Sequence, residues 1–318
     1  MSLLHRSILM IGLSAALLLV WALSCRGDSP RKIEDIFRVW RERETKIRAA
    51  SFHWKQTERN KWRDLKGLGG RQKGDDDAPQ PGQSIEIIQQ CRVRLDGKRL
   101  DFQFDAVNAE RFRSPIGYRQ TFDGELSWQY SGVAKAGNHG SGGVAKTPYE
   151  FSNSAYPWPL LMYCRPFEIE LRTIDLRKMT LSDQTHTIYS GGCQLLRGPK
   201  TSNLRTQYYV DMSDACLIRR CEQTVDEQPR IRLDIYYGPD KELGWIPKHW
   251  RILVLGEDGA TKEETEADIE KHDLHPKFAV DDFRITFPKG TYVEDRTGVK
   301  MRRANVDEGP FVPESARK

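Results

Sequence analysis

The chain has 318 residues, 38% hydrophobic and 30% charged, and its 50 Lys and Arg against 45 Asp and Glu leave a formal charge of +5. That balance is too even for a nucleic-acid surface and permits contact with an anionic membrane without requiring it. The composition is that of an ordinary globular protein, and the length suits one large all-β body with appendages.

His5 and Arg6 precede an uncharged apolar run, Ile8 to Leu23, that ends in small residues and Cys25, the pattern of a secretory signal. Ala22-Leu23-Ser24-Cys25 resembles a bacterial lipobox, cut before a Cys that takes lipid, although that pattern prefers Leu where Ala22 stands. Cleavage after Ser24 without lipid, or retention as an anchor, are the alternatives, the last opposed by a run shorter than the ~20 residues that span a bilayer. Each outcome exports the body, to the periplasm or cell envelope, with membrane association through Cys25 or the N-terminal segment. Export places Cys91, Cys164, Cys193, Cys216 and Cys221 where disulfides form, so one or two bridges plus buried thiols are expected.

Ser29 and Pro30 suit the start of a helix, and Ile33, Ile36, Phe37, Trp40 and Ile47 then fall on one face at helical spacing. Ala50 to Gln56 reads as a strand with Phe52 and Trp54 on one side. Residues 61–83, Gly-rich and carrying Asp75-Asp76-Asp77, read as a flexible loop without the ligand spacing of a metal site. Ile85 to Leu95 and Leu100 to Ala106 alternate about Asp96-Gly97, which predicts a tight hairpin. A second hairpin, Ile116 to Phe122 and Glu125 to Tyr130, turns at Asp123-Gly124. Residues 131–147 are Gly-rich and lack bulk, so a second flexible loop is expected.

Tyr156 to Cys164 is the most apolar internal stretch and predicts a short buried helix from Pro159. Arg172 to Met179 is ambiguous. Strands are expected over Thr187 to Leu196, Leu204 to Asp211, Cys216 to Thr224, Ile231 to Tyr237, His249 to Leu255 and Thr261 to Asp268. Phe283, Ile285 and Phe287 alternate with Arg284 and Thr286 as in a half-buried strand, Pro288-Lys289-Gly290 breaks it, and Thr291-Tyr292-Val293 resumes. Residues 299–318 read as a disordered tail. The fold class is mainly β, α+β in detail: a single curved, unclosed antiparallel β-barrel lidded by the N-terminal amphipathic helix and short internal helices. Residues 1–24 form the signal or anchor and 25–298 one domain.

Three stretches carry a resemblance: the helix running into Ser51-Phe52-His53-Trp54-Lys55-Gln56, the hairpin Phe122 to Tyr130, and the closing Phe283 to Asp295. In that order, behind an export signal, they resemble the LolA/LolB lipoprotein-carrier superfamily, which includes sensors of the RseB type. The resemblance implies an apolar cavity that shields lipid or lipoprotein acyl chains. Trp40, Phe102, Phe104, Trp128, Tyr130, Phe283, Ile285 and Phe287 are its candidate lining, and Cys25 the candidate lipidation site. The carriers set an early-strand Arg against the lid; Arg92 and Arg94 lie in that neighbourhood, with Arg94 the candidate. An envelope sensor or scaffold that binds a membrane-protein partner through the same fold is the alternative.

The sequence holds no Gly-x-Ser-x-Gly elbow, no HExxH and no phosphate-cradling Gly-rich loop, and Asp281 and Asp282 fall on opposite faces of the expected strand. His272 and His275 lack a third ligand for zinc. A non-catalytic protein without cofactor or metal is therefore expected.

Overall fold

The computed structural model describes residues 32–61, 83–108, 115–133, 140–146, 157–167, 178–189, 191–213, 215–298, 302–306 and 311–316. Cys25, the N-terminal apolar run and nearly all of the loop at 61–83 lie outside the described residues. The N-terminal helix, α1, spans Ile33–Lys46 and buries Ile36 and Trp40. Strand β1 (Ala49–Lys61) follows, then the predicted hairpin of β2 (Ser84–Asp96) and β3 (Arg99–Ala106). Gly97 takes φ +57° as the first of the two turn residues between Asp96 and Arg99, a conformation that favours glycine. The second hairpin is β4 (Pro115–Phe122) and β5 (Ser127–Val133), followed by β6 (Ser141–Ala145) and the buried helix α2 (Trp158–Cys164).

A meander completes the sheet: β7 (Thr180–Ile188), β8 (Gly191–Arg197), β9 (Leu204–Asp211), β10 (Ile218–Val225), β11 (Gln228–Asp240), β12 (Gly244–Leu255) and β13 (Thr261–Asp273). Strands β14 (Tyr292–Arg296) and β15 (Arg302–Asn305) end it. All fifteen lie in one sheet, ordered β15-β14-β6-β5-β4-β3-β2-β1-β13-β12-β11-β10-β9-β8-β7. Among the described residues the sheet is mainly antiparallel and does not close, since β15 and β7 are its two edges, and only the β14–β6 pair is parallel. Its curvature is visible in the core, where Phe52, Val93 and Leu100 of one arm join Tyr208, Val210 and Leu233 of the other in a single apolar cluster with residues of α1 and α2.

Several expectations differ from the structure. Thr187 to Leu196 is not one strand but the junction of two, with Tyr189 at φ +57° turning β7 into β8. The stretch 283–287 pairs with no strand: a 3-10 turn covers Val280–Phe283, and Ile285 and Phe287 follow as extended chain. Its alternation reflects burial of every second residue on a surface already built, not membership of a ladder. The Gly-rich region 131–147 contains the end of β5 and all of β6, and the polar C-terminal region contains β15. The five cysteines after Cys25 are all free and buried, so none of the expected bridges forms among them. Burial pushes the Cys193 thiol up to about 11 and the Cys164 thiol up to about 12.

Candidate functional site: the inner face of the sheet

Pairing register assigns each side chain to a face, because residues opposite one another in adjacent strands share it. Phe52 pairs Val93, which pairs Phe102, which pairs Gln120, and Trp54 pairs Cys91, which pairs Phe104, which pairs Tyr118. These rows carry the large apolar cluster and the helices, and define the inner face. Rings continue across it: Trp54 stacks on Phe102 at 6.0 Å and meets Trp250 edge-on at 5.5 Å, while Phe104 stacks on Tyr118 at 5.3 Å. Beyond the rings, toward the end of β1, Trp54 Nε1 donates to Gln56 Oε1 at 2.9 Å and Gln56 Nε2 donates to Gln89 Oε1. Burial raises the Tyr118 phenol far above its ordinary value.

The two helices close one mouth of this face. Trp40 Nε1 donates to the Cys216 carbonyl at 2.7 Å, and Arg43 to the carbonyls of Tyr163 and Ala215 at 3.0 Å each. Arg165, after α2, donates to Ile47 at 2.5 Å and Arg48 at 2.7 Å. Buried guanidiniums spent on chain carbonyls satisfy acceptors that loops would otherwise bury unpaired. The lid is therefore fixed by directional bonds to turns at one end of the sheet.

The candidate lining residues do not form one surface. Trp40, Phe102 and Phe104 belong to the inner cluster. Trp128 pairs Thr121, which pairs Asp101, and Tyr130 pairs Arg119, which pairs Gln103, so both tyrosine and tryptophan lie on the opposite, outer face. There Trp128, Val144, Ile285, Phe287, Val293 and Val306 form a second cluster, with Tyr130 against Phe287. Phe283 is fully buried on the same side, with Phe278 at 5.5 Å and the Arg99 guanidinium over its ring at 5.2 Å. Residues 278–287 are thus a strap across the back of the sheet, and Phe283, Ile285 and Phe287 close no inner cavity.

Arg94 also faces outward. Its Nε donates to Asp101 at 2.7 Å and its Nη2 to the Asp282 carbonyl at 2.8 Å, so it holds the strap rather than the helical lid. The inner residues that sequence reasoning passed over, Gln56, Gln89, Tyr118, Gln120 and Trp250, are polar or amphipathic; their even spacing with Phe52, Trp54 and Phe122 was the available signal. Among the described residues no group of three or more His, Cys, Asp or Glu could hold a metal ion, and no helix is long and apolar enough to cross a membrane.

No protein-family model matches the sequence, and no curated protein matches it. In structure the chain is similar to a domain assigned to the outer membrane lipoprotein-sorting proteins from Vibrio parahaemolyticus, at 9% identity and a TM-score of 0.45 over 79% of this chain and 97% of that one. It is similar to a LolA superfamily protein from Nitrosomonas europaea, at 10% identity and a TM-score of 0.42 over 78% and 97%. MucB in complex with the periplasmic part of MucA is also matched, at 10% identity and a TM-score of 0.24 over 80% of this chain and 60% of that one.

Proposed function

We propose that the chain is a non-catalytic cell-envelope protein that holds lipid or lipoprotein acyl chains against the inner face of its sheet. The observation that carries this reading is the ring tier Trp54, Phe102, Phe104, Tyr118 and Trp250, set between two arms of an open sheet and closed at one mouth by α1 and α2. Each CH2 kept from water is worth about 0.8 kcal/mol, so about fifteen methylenes supply ~12 kcal/mol, of which about 4 kcal/mol goes to ordering and association. Binding near the micromolar range then needs no ionic anchor. The chain enters as the helix pair swings from the sheet, its bonds to the turns acting as the latch. The expected export signal and the resemblance of Ser51 to Gln56, Phe122 to Tyr130 and Phe283 to Asp295 to the lipoprotein carriers agree with this reading.

The test is mass spectrometry of organic extracts of the protein recovered from its host, together with uptake of a fluorescent fatty acid. Stoichiometric acyl lipid and saturable uptake are expected. An empty protein that takes up none at micromolar concentration overturns the reading.

A further inference from the structure

The inner face changes character part-way along β1 and β2. The helical mouth lies at the start of β1 and the end of β2, where Arg165 donates to the carbonyls of Ile47, Arg48 and Gly97. Moving away from that mouth, the cross-strand couples Phe52–Val93 and Trp54–Cys91 are apolar and buried. The next couple is Gln56–Gln89, with the two residues 1% and 5% exposed, and the one after it sets Glu58 against Ile87. Apolar packing is interrupted at the same place: the large cluster includes Trp54 and Cys91, whereas Ile85, Ile87 and Ala106 form a separate small one.

The two amides are satisfied by each other and by the ring tier. Trp54 Nε1 donates to Gln56 Oε1 at 2.9 Å and Gln56 Nε2 donates to Gln89 Oε1, so both ends of the Gln56 amide are engaged. A group in that state can bind the polar head of a ligand only by giving up a bond it already has. It offers a hydrocarbon tail little more. A methylene laid on the rings is removed from water onto apolar surface, but one that crosses the amide pair either rests on polar atoms or parts them, leaving a buried donor and acceptor unpaired.

We infer that the Gln56–Gln89 pair is the floor of the acyl-chain lane and sets the longest chain that the inner face takes with full gain per methylene. This rests on the reading of the inner face as an acyl-chain site entered at the helical mouth, and adds the residues that determine its chain-length specificity.

The test is a series of saturated fatty acids of increasing length, each below its micellar concentration, competing with one fluorescent fatty acid for the protein. Affinity is expected to rise about fourfold per methylene up to a limiting length and to stay level beyond it. In the Gln56→Leu, Gln89→Leu double variant that limit should move to longer chains while shorter acids bind as before. The Trp54 N–H loses its acceptor there, but the limit is read within one variant, so a change in overall stability does not shift it. An unchanged limit in the double variant overturns the inference, as does a loss of affinity shared equally by all lengths, the mark of a head-group contact. A second measurement needs no variant: a fatty acid of the limiting length with a diazirine at its terminal carbon should label Trp54 and Cys91, and labelling of Ile85 and Ile87 instead overturns the inference. If no acid binds, the acyl-chain reading itself fails and this inference with it; if the acids bind and the limit ignores the double substitution, only this inference fails.

Discussion

Arg119 Nε lies 2.7 Å from Asp101 Oδ1, and its Nη2 donates at 2.8 Å to the Asp282 carbonyl on the strap. Arg94 repeats the arrangement from the other side of the same fully buried carboxylate. One acid on β3 therefore orients two guanidiniums that clamp the start of the C-terminal strap to the back of the sheet.

Removing that acid should loosen the strap as well as lower stability. Asp101→Asn leaves the guanidiniums of Arg92, Arg94 and Arg119 without the buried charge they share, at a cost of about 3 kcal/mol. Hydrogen exchange should rise at Asp282 and Arg284, whose amides bond within the strap's own turn, while β11 and β12 keep their protection. Uniform loss across the sheet would show that Asp101 has no special hold on the strap.

Asp123 ties the same strap to the β4–β5 turn. Burial opposes its ionisation, but the backbone N–H groups of Leu126 and Glu125 and the Arg284 guanidinium outweigh it and hold the carboxyl below its ordinary value of 3.8. A depressed carboxyl contributes stability above its unfolded value and loses it as pH falls through the folded one. Asp123→Asn should therefore cost about 1–2 kcal/mol at pH 6, and the difference from the unmodified protein should shrink below pH 3.8. Denaturant unfolding at pH 6 and in acid checks this; a gap independent of pH contradicts it.

Gly142 on β6 is where Phe287 rests: a Cβ built there would lie 2.5 Å from the ring. Gly142→Ala should displace Phe287 and cost about 1–3 kcal/mol through overpacking. Phe287→Leu in the same background should recover part of the loss, which thermal unfolding of the single and double variants would measure. Additive losses would mean that the two residues do not meet.

The five described cysteines should behave as core residues. All five are buried, and burial raises the thiols of Cys91, Cys164, Cys193 and Cys221, so Cys91, Cys164, Cys193, Cys216 and Cys221 should resist a disulfide reagent at pH 8 and react only in guanidinium. Rapid labelling of any of them in the folded protein contradicts that placement.

Much of the fold was legible in local pattern. Alternation about Asp96-Gly97 and Asp123-Gly124 located two hairpins because turn chemistry and strand period agreed there. Where the two signals parted, reading failed. Gly142 made β6 look like loop, yet its missing side chain is what admits Phe287. Tyr189 hid a turn because bulky residues seldom take positive φ. The site was less legible: Phe102 and Trp128 are both aromatic and both on alternating strands, and only the pairing register, Phe102 to Gln120 and Asp101 to Thr121 to Trp128, separates the inner face from the outer. Single-strand periodicity says that a face is apolar without saying which side of the sheet it joins.

That division of faces makes acyl-chain binding on the inner face directly measurable. A palmitic acid analogue carrying a photoreactive diazirine on its chain, irradiated with the protein and mapped by peptide mass spectrometry, should label the inner-face peptides around Phe52 to Gln56, Phe102 to Phe104 and Trp250 to Ile252. Labelling confined to Trp128 to Tyr130 and Phe283 to Phe287, on the outer face, or no labelling at all, would contradict the account.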